Sequence, residues 1–117
     1  TAVDRWFTDA FRQAHPEIVQ ARMARSRQND PHCYAQAYRV LADNDLADAI
    51  HGIGAPTLVA TGEQDSGSTP RMARLMAERI AGAKLHIFPR LRHSILLEAP
   101  DQVAAALAGF LAGVPDQ

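Results

Sequence analysis

The sequence predicts an α/β fold in which a strand, a helix and a second strand form a parallel unit, with one helix after it and several helices before it. The first observation is the short continuous apolar run 57–60, which is typical of a parallel strand covered on both faces. The segment 84–89 has the composition of a second strand, and a helical pattern over about 70–81 separates the two. A crossover of this kind joins parallel strands.

Two helices are predicted at the start of the chain. Trp6, Phe7 and Phe11 are spaced so that they can form one apolar side of a short helix within residues 1–14. Core packing is the ordinary role of such side chains, and a place for Trp6 in a pocket is the alternative. Pro16 suits the first turn of a second helix, because proline has no N–H to leave without a partner there. The arginines of this helix are interpreted as a solvated face and comprise Arg22, Arg25 and Arg27.

A third helix is the most clearly amphipathic element of the first half. Asp30 can cap it, and Pro31 can occupy its first position. Its apolar stripe follows helical spacing and comprises Tyr34, Ala37, Tyr38 and Leu41. Such a stripe is more often packing than a ligand site. A short helix capped by Asp45 and a glycine-flanked link complete residues 1–52.

The remaining residues, 53–117, carry the strand–helix–strand unit and the last helix. Pro70 begins the helix between the strands, and Gly82 ends it. Pro100 begins the last helix, and Gly113 ends it. The predicted buried stripe of that helix comprises Val103, Leu107, Phe110 and Leu111.

Composition excludes several classes of function. The net charge is −1 and the basic and acidic residues are interspersed, so we expect no nucleic-acid partner. No apolar run approaches the ~20 residues that span a bilayer, so we expect no membrane partner. Cys33 is the only cysteine, which fits a reducing compartment, and we expect a cytoplasmic protein.

Asp65 and His93 are the residues best placed for catalysis. Each follows a predicted strand, and ligand sites gather beyond the carboxyl ends of parallel strands. An acid that accepts the imidazole Nδ1–H fixes the tautomer and supports the imidazolium, while the other ring nitrogen acts as a base toward a nucleophile. Taken singly, a loop aspartate is usually a turn former and a lone histidine usually a surface residue.

The flanking residues strengthen the catalytic interpretation. Pro-Thr-Leu-Val-x-x-Gly-Glu-x-Asp from Pro56, then Thr-Pro, then His-x-x-x-x-Glu-x-Pro from His93 resemble the C-terminal third of the α/β-hydrolase superfamily over about residues 53–112. The resemblance implies the C-terminal part of an α/β-hydrolase fold. It also implies that Asp65 is the triad acid and His93 the triad base. Glu98 matches a family position and is interpreted as structural, pinning the loop to the last helix.

The first half resembles the helical cap of 3-oxoadipate enol-lactonases. The residues that carry this resemblance are Arg5-Trp6-Phe7-Thr8, Phe11, His15-Pro16-Glu17, Tyr34 and Asp45-Leu46. It implies a cap segment over 1–52 and a substrate cavity faced by Trp6 and Tyr34. These enzymes hydrolyse a small lactone with a serine nucleophile and without a cofactor. We therefore expect a small-molecule ester or lactone substrate, no cofactor and no metal.

The loop before the histidine departs from the family, where it is often rich in glycine. Here it is Arg90-Leu91-Arg92. Two arginines beside the base would either attract a substrate carboxylate or lie in solvent.

The nucleophile is missing from these 117 residues. They contain no Gly-x-Ser-x-Gly elbow, and no serine follows a predicted strand in a strand–turn–helix. Two parallel strands alone also leave an apolar edge. We therefore expect a trimmed or divided protein whose partner is an N-terminal hydrolase half or a second copy of this chain. Whether the chain alone is an enzyme stays open.

Two alternatives remain. One is a non-catalytic assembly or binding module that keeps half of the hydrolase fold, with Asp65 and His93 as remnants. The other is a different α/β-hydrolase subfamily, such as a haloperoxidase-like enzyme, a carbon–carbon bond hydrolase or an esterase. A second polypeptide with Gly-x-Ser-x-Gly would exclude the first alternative, and a panel of enol-lactones and aryl esters would separate the others.

Overall fold

A computed structural model describes residues 1–114 of the chain. The first half is helical, and its elements are α1 (Ala2–Trp6), α2 (Asp9–Ala14), α3 (Pro16–Arg27), α4 (Pro31–Asp43) and a short 3₁₀ helix (Ile50–Gly52). The second half alternates strands and helices in the order β1 (Leu58–Gly62), α5 (Pro70–Arg79), β2 (Lys84–Phe88), α6 (Ile95–Glu98) and α7 (Pro100–Ala112). The predicted fold class is confirmed.

Local capping explains where most of the long helices begin. The Asp30 carboxylate accepts from the backbone N–H at position 33 and caps α4. The Thr69 hydroxyl accepts from the N–H at position 72 and caps α5. Proline occupies the first turn of α3, α4, α5 and α7, where its missing N–H costs no hydrogen bond.

Two predicted helices have a different form. The helix expected within residues 1–14 is broken at Phe7 and Thr8, which are extended. The break forms because Thr8 caps α2 with its hydroxyl and is bound by Glu98 from the other end of the chain. The helix expected from Asp45 is a turn, since the Asp45 carboxylate accepts from the N–H at position 47 and closes a local loop.

The sheet consists of β1 and β2, which are parallel and pair from Leu58 with Lys84 to Gly62 with Phe88. Helix α5 covers one face, where Val59, Ala73 and Ile80 are buried together. The other face carries the exposed residues Ala60 and His86. On this face Phe88 is nevertheless 1% exposed, and residues of α7 line a cavity together with Leu58 and His86. Among residues 1–114 the second face is therefore partly covered, and full coverage of both faces stays a prediction.

The predicted stripe of α7 is buried at Val103 and half-buried at Phe110, and its other two members are exposed. Val103 is 7% exposed, whereas Leu107 and Leu111 are 45% and 64% exposed. Helix α7 packs against the short α6, and Leu107 and Leu111 lie outside that contact. No helix within residues 1–114 is long and apolar enough to cross a bilayer.

Candidate active site

Asp65 is held in a tight turn directly after β1. Its N–H donates to the carbonyl of Gly62, the last residue of the strand, over 3.1 Å. The Asp65 carboxylate folds back over the turn, and its Oδ1 accepts from the N–H groups of Gly67 and Ser68 at 2.8 and 2.9 Å. Asp65 is only 5% exposed, so its position is fixed by backbone donors rather than by solvent.

His93 completes the pair from the loop after β2. Its Nδ1 lies 2.7 Å from Asp65 Oδ2. Because the ionised carboxylate can only accept, Nδ1 carries the proton and Nε2 is left as the basic nitrogen. The imidazole is 49% exposed, and within residues 1–114 no group hydrogen-bonds Nε2. The ring is thus anchored on one side and free on the side where a base would act.

The charge state of Asp65 follows from its surroundings. Burial alone would favour the protonated acid and is the largest single effect on its pKa. The hydrogen bond from His93 and the two backbone N–H bonds act in the opposite direction, and together they hold the pKa of Asp65 below its ordinary value. Asp65 is therefore an anion at neutral pH and can stabilise an imidazolium on His93.

The loops that carry the two residues are joined by their backbones. The N–H of Glu63 donates to Phe88 O, and the N–H of Gln64 donates to Leu91 O, both at 2.8 Å. The Glu63 carboxylate also accepts from the N–H of Arg90 at 2.8 Å. These bonds extend the pairing of β1 with β2 past the ends of the strands and bring the acid and histidine loops to one edge of the sheet.

A single cavity of about 860 Å³ opens in front of this pair. Both predicted catalytic residues, Asp65 and His93, lie on its wall, and so do the predicted substrate-binding residues Trp6 and Tyr34. The sequence pattern favours packing for the stripe of α4, but Tyr34 and Tyr38 are exposed and line the same cavity. All four predicted site residues therefore converge on one space. Their roles stay predictions.

Three arginines on the cavity wall were not predicted as site residues. They are Arg5, Arg22 and Arg27. The Arg22 guanidinium lies 5.0 Å from the ring centre of Trp6, within cation–π range. Within residues 1–114 none of the three pairs with a carboxylate. The local sequence gave only a weak helical pattern here, and nothing in it indicates that α3 turns Arg22 toward Trp6.

The two arginines before the histidine do not line this cavity. The Nη1 of Arg92 donates to the carbonyls of Asp4 and Phe7 at 2.8 Å and to the Asp9 carboxylate at 3.1 Å. The interpretation of Arg92 as a solvated residue is therefore wrong, and a role of Arg92 toward a substrate carboxylate stays a prediction. The exposed Arg90 has φ of 61°, a backbone conformation that favours glycine.

Glu98 has a different partner from the one expected. The sequence predicts that it pins the loop to the last helix, but its carboxylate accepts from the N–H and the hydroxyl of Thr8 at 2.9 and 2.5 Å. The loop is thus pinned to the first helices. No group of three or more metal-ligating side chains occurs among residues 1–114.

Comparison with known proteins gives a consistent family. The model of the alpha/beta hydrolase family matches residues 1–106. The proline iminopeptidase of Lacticaseibacillus rhamnosus is 38% identical over 72 residues, which are 62% of this chain and 24% of that protein. The 3-oxoadipate enol-lactonase 2 of Acinetobacter baylyi is 32% identical over 87 residues, which are 74% of this chain and 33% of that protein.

A solved structure gives the same result in three dimensions. The enol-lactonase of Burkholderia xenovorans LB400 superposes with a TM-score of 0.90 at 27% sequence identity. The superposition covers 95% of this chain and 42% of that enzyme. The chain thus spans less than half the length of each of these proteins.

Proposed function

The chain belongs to the alpha/beta hydrolase family, and on that basis we propose that it supplies the acid and the base of a serine-type hydrolase acting on a carboxylic ester or lactone. The observation that carries this proposal is the 2.7 Å contact between Asp65 and His93 at the wall of a cavity, with Nε2 free to face a nucleophile. No other pair of described titratable residues on that wall has this arrangement.

The two residues would act in sequence on a serine that lies outside these 117 residues. Nε2 of His93 removes the proton of the serine hydroxyl as its oxygen attacks the substrate carbonyl. Asp65 stabilises the imidazolium that results. The imidazolium then returns the proton to the leaving alkoxide, which in a lactone stays attached as the opened ring. Water, activated by the same nitrogen, releases the acyl group.

An anionic lactone of the enol-lactonase kind is the substrate that we propose. The support is the cationic wall formed by Arg5, Arg22 and Arg27, whose guanidiniums have no carboxylate partner among the described residues. Among residues 1–114, Asp65 is the only carboxylate on the wall, and it is held by His93. Arg22 beside Trp6 offers both a charge and a flat apolar surface to a small carboxylated ring.

The partner that we propose is a polypeptide carrying the serine elbow, either the rest of a longer chain or a separate one. The support is the exposure of Ala60 and His86 on one sheet face, and of Leu107 and Leu111 on α7, among residues 1–114. Native mass spectrometry of the purified protein would show a mass well above that of 117 residues. If the spectrum instead shows a homodimer of this chain alone, the hydrolase proposal fails and the non-catalytic assembly module is the better interpretation.

Substrate class is tested by a panel assayed with the complete protein. The panel contains a carboxylated enol-lactone, its methyl ester, a neutral aryl ester and a prolyl peptide, the last because one relative is a proline iminopeptidase. We expect the carboxylated lactone to have the highest kcat/KM. A higher value for the neutral aryl ester would assign an esterase, and turnover of the peptide alone would assign a peptidase.

Arg22→Met provides the matched test of charge recognition. It keeps most of the apolar stem and should lower kcat/KM for the carboxylated lactone by roughly 10- to 100-fold, the range for one charged hydrogen bond. The methyl ester should be almost unaffected. Arg25→Met on the same helix is the control, because Arg25 does not line the cavity.

A cytoplasmic location is also proposed. Its support is that Cys33 is exposed and is the only cysteine, an arrangement suited to a reducing compartment. Cell fractionation with an antibody against the chain would test it.

A further inference from the structure

The loop that carries His93 is fastened to the first helices by a set of contacts that we name the clasp. It consists of Arg92 Nη1 on the carbonyls of Asp4 and Phe7, Ser94 N–H on Trp6 O, and the Thr8 N–H and hydroxyl on Glu98. The side-chain contacts of the clasp join residues that lie 85 to 90 positions apart in the sequence. None of these contacts touches the imidazole or the cavity carboxylate.

The clasp holds His93 on both sides in the sequence. Arg92 is the residue before it, Ser94 is the residue after it, and Glu98 closes the short helix that follows. Gln64 binds the loop only at Leu91, ahead of the histidine. On the far side, α6 hydrogen-bonds to itself, so Ser94 and Glu98 supply the long-range anchors.

The bonds of the clasp are of the stronger kind. Glu98 accepts two hydrogen bonds at 2.9 and 2.5 Å, and a carboxylate acceptor makes both charge-assisted. The Arg92 side chain is 23% exposed and also meets the Asp9 carboxylate. That ion pair, with Arg12, holds the pKa of Asp9 below its ordinary value.

We propose that Arg92 and Glu98 are positioning residues that fix the His93 loop to the Trp6–Thr8 segment, so that the base and one wall of the substrate cavity form one body. Ser94, the residue after His93, joins the base directly to the cavity wall, because its N–H donates to the carbonyl of Trp6 over 2.8 Å. Loss of the clasp would move the base relative to Asp65 and would also shift Trp6. This inference rests on the proposed function for the role of His93 as base.

The first test is hydrogen exchange of the Ser94 amide in the complete protein without substrate. In Glu98→Ala we expect that amide to exchange at least about tenfold faster, because a charged hydrogen bond is lost. Amides of β1 and α5 should keep their rates. Glu78→Ala is the control, since Glu78 is exposed on α5 and has no side-chain partner among the described residues.

Two results would overturn the inference. One is an unchanged Ser94 amide in Glu98→Ala, and the other is an equal acceleration of every amide, which would show an ordinary loss of stability. If Glu98→Ala does not fold, Arg92→Lys applies the same test, because lysine keeps the charge but cannot reach the acceptors of the guanidinium in the same way. In Arg92→Lys we expect the Ser94 amide to exchange faster while the amides of β1 and α5 keep their rates. An unchanged Ser94 amide in this variant would contradict the inference.

Kinetics provide the second test and separate positioning from general structure. Glu98→Gln keeps one acceptor for the Thr8 N–H, so its loss of kcat/KM should be smaller than that of Glu98→Ala. Both should raise KM and lower kcat together, because cavity wall and base move. Asp65→Asn should lower kcat with little change of KM. Should the complete wild-type protein hydrolyse nothing, the proposed function fails while the exchange experiment still decides whether the clasp holds the loop.

Discussion

His93 Nδ1 lies 2.7 Å from the carboxylate of Asp65, although 28 positions separate the two residues in the chain. The distance is short because β1 and β2 are adjacent and parallel, so the loops that follow them leave the same edge of the sheet. Two backbone hydrogen bonds between these loops continue the pairing. The contact is therefore a direct product of the strand–helix–strand topology.

Replacement of Asp65 by Asn should reduce turnover in the complete protein without unfolding it. The amide no longer supports an imidazolium, and kcat should fall on the order of 10³- to 10⁴-fold, as in other enzymes that lose the triad acid. Stopped-time assays and circular dichroism measure the two effects. Asp101→Asn, on the exposed first turn of α7, is the control. Loss of less than tenfold would contradict the role of Asp65.

Replacement of His93 by Ala should remove nearly all turnover, because no other described group on the cavity wall can exchange a proton with the nucleophile at neutral pH. The half-exposed ring contributes little packing, but its loss leaves Oδ2 of the buried Asp65 without its 2.7 Å partner, so the thermal unfolding temperature should fall moderately while the protein stays folded. Retention of more than a few per cent of kcat would contradict the assignment of the base. His51→Ala is the control, since His51 is exposed and does not line the cavity.

Local chemistry made much of this fold predictable. The helix expected over about 70–81 is found at Pro70–Arg79, because Thr69 and the proline fix its start without help from other elements. Asp65 and His93 could be predicted for a related reason. Residues that follow neighbouring parallel strands must meet at one edge, whatever surrounds the sheet.

What could not be predicted depends on contacts between distant parts of the chain. Thr8 breaks the first helix because Glu98 binds it from 90 positions away. Arg22 joins the cavity because α3 packs beside Trp6, and its own periodicity does not show which side faces inward. The exposed stripe of α7 could not be foreseen, because apolar spacing shows which residues share a face but not what covers them.

Acid should destabilise the protein partly through Asp65. The pKa of Asp65 is lower in the folded chain than in the unfolded one, where an aspartate titrates at about 3.9. The folded state therefore binds this proton less readily than the unfolded state. The stability that Asp65 contributes is fully present above the pKa of the unfolded chain, and it is lost as the pH falls through the lower pKa of the folded chain. Urea unfolding at a series of pH values measures this effect. From neutral pH toward acid, the free energy of unfolding should fall less steeply for Asp65→Asn than for the unmodified protein.

The comparison isolates Asp65 because the other aspartates with lowered pKa values are unchanged in the variant. These are Asp4, Asp9 and Asp30. Parallel curves for Asp65→Asn and the unmodified protein below about pH 4 would show that this carboxylate is not stabilised by folding.

Gly62 should tolerate no side chain. A Cβ at this position would lie 2.2 Å from Arg92 O and 2.5 Å from Leu91 O, which are backbone atoms of the histidine loop. Gly62→Ala should therefore push that loop away and lower the unfolding free energy by about 1 to 3 kcal/mol, the usual cost of overpacking. Gly109→Ala is the control, because its Cβ meets nothing within 4 Å.

The two glycine variants should differ in sign. Alanine is a better helix former than glycine, so Gly109→Ala on α7 should raise the unfolding free energy by roughly 0.5 to 1 kcal/mol. Gly62→Ala should also lower kcat, since the displaced loop carries His93. Equal stability of the two variants would mean that the loop yields without cost.

Arg90 holds a backbone conformation that a glycine would adopt with less strain. Its φ is 61°, and an L-residue in the left-handed region loses roughly 1 kcal/mol relative to glycine. Among the described residues, its only hydrogen bond to another residue is the one that its N–H donates to the Glu63 carboxylate. Glycine at this position keeps that N–H. Arg90→Gly should therefore raise the unfolding free energy by up to about 1 kcal/mol. Arg74→Gly, inside α5, should lower it by a similar amount because glycine is a poor helix former. Chemical denaturation of both variants measures the difference. An equal loss in both would show that the turn before His93 has no preference for glycine, and that the arginine there costs the fold nothing.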